Sequence, residues 1–105
     1  MIFLFPGVAN PDTFAHVMAG GQAVEMWDKS YTLGPRTPIC FRGKNFVKLY
    51  DQDEQRLIAT ARRLGVKVIK VDRPGQQSQH IDLVGGPMRI LLAQCVKHQE
   101  PEEKE

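Results

Sequence analysis

The chain has 105 residues, 42% hydrophobic and 25% charged, with a formal net charge of +2. Those values suit one globular domain and exclude a disordered chain, a fibrous repeat, a coiled coil or a second autonomous core. The charge is uneven: residues 99–105 hold four Glu and one Lys, and the 13 basic and 8 acidic residues before them leave a body of +5.

The longest apolar runs, Ile2–Phe5 and Ile90–Ala93, fall far short of the ~20 residues of a membrane-spanning helix. No membrane association is expected, and Met1 is followed by no basic leader region. Two cysteines, Cys40 and Cys95, are too few for a disulfide scaffold and set the expectation of a reduced, cytoplasmic protein.

Ile2–Phe5 reads as a buried strand ended by Pro6-Gly7. Asn10-Pro11-Asp12 starts a helix, with Asn as N-cap, Pro at N1 and an acid at the positive helix end. That helix carries Phe14, Ala15, Val17 and Met18 and stops at Gly20-Gly21. Over residues 22–38 no period wins: Ala23, Val24, Met26 and Trp27 fit a strand and an irregular turn of helix equally well. Pro35 and Pro38 mark a loop. Ile39–Phe41 and Phe46–Tyr50 then flank Arg42-Gly43-Lys44-Asn45, the pattern of a β-hairpin.

Asp51 and Glu54 form a capping box for a helix that runs to Leu64 and ends at Gly65. Leu57, Ile58, Ala61 and Leu64 make its apolar stripe. Val66–Val71 is β-branched and reads as a strand, followed by a polar loop over Asp72–Gln79 and a strand over His80–Val84. Pro87 suits N1 of a last helix that buries Met88, Leu91, Leu92, Cys95 and Val96. The expected order is β-α-(?)-β-β-α-β-β-α. It describes an α/β or α+β domain over residues 1–98, with one mixed sheet of four to five strands and about three helices. Residues 99–105 are expected to form a solvated acidic tail.

His80 and Asp82 are the sharpest candidates for chemistry. Two apart on a strand, they share one face beside a polar loop. They can act as base and orienter, or as two metal ligands. Two ligands do not make a metal site and spacing reveals no third, so no metal or cofactor is expected. The structural alternative has His80 capping the strand end and Asp82 either pairing with Arg89 or capping the Gly85-Gly86 turn. Convergence of Asp51, Asp72 or Arg89 on His80 in a concave pocket would favour an enzyme.

The span Phe46–Cys95 resembles a family of short bacterial and phage proteins, known as domain of unknown function 4031. The likeness rests on a strand, the helix led by Asp51 and ended by Leu64-Gly65, a variable loop, then His80-Ile81-Asp82 and a final helix. Ile81 stands where the family has an aromatic residue, and Lys48 where it has a histidine. Residues 1–38 have no counterpart. The resemblance implies this order of elements and transfers no activity.

A second class of function is binding. Arg36, Arg42, Lys44 and Lys48, interleaved with Phe41, Phe46 and Tyr50, suit stacking combined with phosphate contact. Arg73, Gln77 and Arg89 are further binding candidates. A small binding domain that contacts nucleic acid or a protein partner through this hairpin is the first expectation. The second is a small hydrolase-like or metal-assisted enzyme built on His80 and Asp82. Cys40 and Cys95 are expected to be buried, His16 to be structural, and Gly85-Gly86 to be a plain turn rather than an anion site.

Overall fold

The N-terminal βαβ unit forms where the capping signals place it. In the computed structural model, which describes residues 1–97, β1 spans Ile2–Phe5, α1 Pro11–Met18 and β2 Gln22–Trp27. The Asn10 side chain accepts the Asp12 N–H at 2.9 Å, and Pro11 opens the helix. A 3₁₀ turn over Lys29–Thr32 leads through a long loop to β3 (Phe46–Asp51) and α2 (Glu54–Arg63). β4 (His80–Leu83), α3 (Gly85–Gln94) and β5 (Val96–Lys97) complete the described chain. The expected acidic tail at 99–105 lies outside the described residues.

One mixed five-stranded sheet has the order β4-β3-β2-β1-β5. β1 is parallel to both β2 and β5, whereas β3 runs antiparallel to β2 and β4. Helices cover both faces. On one side Val24, Val47, Leu49, Ile81 and Leu83 of the sheet meet Leu57, Ala61 and Leu64 of the α2 segment and Leu91 of α3. On the other, Phe5, Ala23 and Tyr50 pack with Val17 and Phe14 of α1. The fold is therefore the expected small mixed-sheet α+β domain with three helices, and no described helix is long and apolar enough to cross a membrane.

Several elements differ from the sequence reading. Ile39–Phe41 forms a turn, with the Phe41 and Arg42 N–H groups both donating to Pro38 O. β3 is already paired on both edges, by β2 and β4, so no edge remains for a hairpin partner. Val66–Val71 is not a strand either. Its half-buried residues are Val66, Ile69 and Val71, spaced by three and then two, and Val68 is exposed, so no steady alternation by two runs through it. Two strands form where the sequence left the assignment open or placed a helix, β2 and β5. Gln22 to Glu25 are buried on both faces, which removes the alternation that marks a half-exposed strand. Val96 leaves the last helix, pairs with Phe3 and is exposed.

The caps also shift. Asp53, not Asp51, caps α2 by accepting the Arg56 N–H at 3.1 Å, while Asp51 is the buried last residue of β3. α3 starts at Gly85, two residues before Pro87. It buries Leu91 fully, with Met88, Leu92 and Cys95 partly buried. In α1 the buried positions are Thr13 and Val17, and Met18 and Ala15 face outward. Ile58 is half-buried beside its three buried stripe partners, and Cys40 is exposed.

Candidate metal centre

β4 carries His80 and Asp82 on the α1 face, as their spacing requires. Antiparallel pairing sets His80 beside Tyr50 and Asp82 beside Lys48. Before entering β4 the chain passes along the free edge of that strand at Asp72. There the Asp72 N–H donates to His80 O (2.8 Å) and the His80 N–H donates to Asp72 O (3.0 Å). This isolated bridge lays Asp72 alongside His80. Arg73, at φ +52, turns the backbone onward through a conformation that costs a non-glycine residue energy.

The imidazole has a defined orientation. His80 Nδ1 lies 2.7 Å from Ser78 O. A carbonyl oxygen only accepts, so Nδ1 carries a hydrogen, and in the neutral ring Nε2 keeps a lone pair. Nε2 stands 3.4 Å from Asp82 Oδ1 and 3.8 Å from Asp72 Oδ2. Asp82 Oδ1 is buried with no hydrogen-bond partner, and Lys70 Nζ approaches the other Asp72 oxygen at 3.6 Å. One ligand atom from each of the three residues lies within 4.8 Å of the others.

Metal–ligand bonds of about 2.1 Å at tetrahedral or octahedral angles place neighbouring donors about 3.0–3.5 Å apart. The separations from Nε2 match that range to within a small side-chain adjustment. In the neutral ring that keeps its hydrogen on Nδ1, Nε2 has no hydrogen to offer the two carboxylates and presents a lone pair toward them. Anchoring of the second ring nitrogen by a backbone carbonyl is the usual support for a metal-bound histidine.

The surroundings are charged and partly dry. Burial pushes the Lys48 ammonium below the ordinary lysine range; Asp82 opposes the shift and Arg73 adds to it. Lys48 Nζ sits 3.8 Å over the Trp27 ring. Asp72 and Asp82 also form part of the wall of a cavity of about 360 Å³. Tyr31, Phe41 and Phe46, with Arg36 and Lys70, also line it.

Of the three groups named as partners for His80, Asp72 alone converges. Asp51 lies on the opposite face, where Arg56 Nε and Nη2 donate to its two oxygens at 2.7 Å each. Arg89 is exposed on α3, which packs against that same opposite face, and forms no ion pair among the described residues. It does not pair with Asp82.

The basic candidates around residues 42–44 order a loop. Arg42 Nη2 donates to Pro35 O and Thr37 O, and Lys44 offers its carbonyl to the Thr32 hydroxyl while its side chain is exposed. The strand pair that would have displayed them is not formed. Gln77 is exposed, and its carbonyl accepts from Gln52 Nε2 at 3.1 Å. The sequence named Asp72 only as one of three alternatives, because the loop closure that brings it to His80 leaves no periodicity to read.

No family model, curated protein or solved structure matches the chain.

Proposed function

We propose that the chain is a small metal-assisted, hydrolase-like enzyme whose centre is Asp72, His80 and Asp82. The observation that carries this reading is the buried His80 Nε2, with its tautomer set by Ser78 O, aimed at two carboxylate oxygens within 3.8 Å. One imidazole nitrogen and two carboxylate oxygens suit Mn²⁺ or Zn²⁺. A site with three protein ligands leaves room for water or substrate. A cation held there lowers the pKa of bound water and polarises an electrophile. The residues of the chain do the holding: Ser78 fixes the ring, Asp72 and Asp82 supply charge, and Lys48 and Lys70 set the electrostatics beside them.

Calorimetric titration with Mn²⁺ and Zn²⁺ tests the reading. One cation per chain is expected. Asp82→Asn and Asp72→Asn, which keep side-chain shape, should each weaken binding about tenfold or more. Unaltered circular dichroism shows that the variants fold. Equal affinity in both folded variants, or no binding by the unsubstituted protein, contradicts the proposal.

A further inference from the structure

The cavity beside the proposed centre has a composition that selects its ligand. Tyr31, Phe41 and Phe46 form an aromatic wall that continues into Trp27. The Trp27 and Tyr31 rings meet edge to face at 4.7 Å, Phe41 and Phe46 do so at 6.5 Å, and Trp27 and Phe46 lie tilted at 6.1 Å. Tyr31 is 53% exposed, so part of its ring is free to meet a ligand. Val68 and Ile81 add further apolar lining.

Charged residues of both signs also line the cavity. Arg36 and Lys70 are exposed cations in the wall, and Asp72 and Asp82 mark the metal end. With a dication held by the two carboxylates, those carboxylates are neutralised and Arg36 and Lys70 remain as two positive charges. That balance attracts a dianion. An arginine and a metal ion together suit phosphate oxygens, the arginine through its planar fork of donors. The volume, about 360 Å³, lies near the lower end of the ~300–1,000 Å³ range of small-molecule sites. It is sized for one nucleotide-like molecule rather than a length of polymer.

We infer that the substrate class of the proposed centre is a phosphomonoester of a planar aromatic group, such as a nucleoside monophosphate. The phosphate lies between the cation and Arg36 and Lys70, and the ring system lies against Tyr31 and Phe41. This inference rests on the metal reading. If the ester is cleaved, water adds at phosphorus, the bond from phosphorus to the ester oxygen breaks, and a proton from that water ends on the departing alcohol.

The experiment has two arms on the full chain. The first titrates Mn²⁺ alone. The second titrates adenosine monophosphate, adenosine and inorganic phosphate into the Mn²⁺-loaded protein. Adenosine monophosphate is expected to bind at least about tenfold more tightly than adenosine or phosphate, since both ends of the ligand are recognised. Arg36→Gln should weaken it about fivefold or more through the phosphate, and Tyr31→Ala by a similar factor through the ring. Absence of Mn²⁺ binding overturns the metal reading and this inference with it. Mn²⁺ binding with no preference for the monophosphate over adenosine overturns the substrate class alone. Preference for single-stranded oligothymidylate over the monophosphate overturns the single-nucleotide assignment.

Discussion

Glu25 is fully buried on the α1 face and accepts four hydrogen bonds. The Ala9 and Asn10 N–H groups donate at 2.8 Å each, the Thr13 hydroxyl at 2.6 Å and the Tyr50 hydroxyl at 3.1 Å. A buried charge is tolerated when its lone pairs are filled in this way. The carboxylate also ties the loop before α1 to β2. For Tyr50, burial and then the Glu25 charge beside it push the phenol well above its ordinary range. A raised folded-state pKa means that the folded protein holds this proton more tightly than the unfolded chain. The resulting stability is complete below the ~10 of a free phenol and is lost as pH rises above it. Denaturation between neutral pH and pH ~11 should therefore show stability falling at the alkaline end, and falling less steeply in Tyr50→Phe. The same substitution should cost about 1 kcal/mol at neutral pH, where Glu25 loses one donor. Identical alkaline slopes in the two proteins would contradict the assignment.

The two helices with side-chain N-caps were the most legible elements, because caps and stripes are local signals. α1 begins at the Pro11 that the Asn10 cap predicts, and α2 buries Leu57, Ala61 and Leu64 as its period predicts. Leu57 is fully buried between α2 and the sheet, so Leu57→Ala should cost about 2–5 kcal/mol in chemical denaturation. An unchanged midpoint would mean that the stripe faces elsewhere. The misread segments depend on non-local facts. Val66–Val71 has strand composition, but β4 meets the following chain only at the Asp72–His80 bridge. Ile39–Phe41 has hairpin composition, but β2 and β4 already take both edges of β3. β2 itself is covered on both faces, and β5 is only two residues long. Composition ranks a segment's preference, and pairing partners decide it.

At the scale of the molecule, the sheet places chemistry at one margin. The α1 face is sealed near β1 and β2 by Phe5, Val17, Ala23 and Phe14. It grows polar toward β4, where Lys48, His80 and Asp82 lie in adjacent register. Two of the three proposed ligands were legible as a pair, since a period of two placed His80 and Asp82 together. The choice of Asp72 as the third came from the path of the loop, which sets Asp72 at the edge of β4 with a cavity beside it. The central claim is that this margin holds a cation. The most direct measurement is the NMR spectrum of the histidine rings during addition of substoichiometric Mn²⁺, whose unpaired electrons broaden nearby resonances. The account predicts that His80 broadens first, that His16, packed between Phe3 and Phe5, stays sharp, and that Asp82→Asn abolishes the selectivity. Uniform broadening of the histidines, or a sharp His80 throughout, would contradict it.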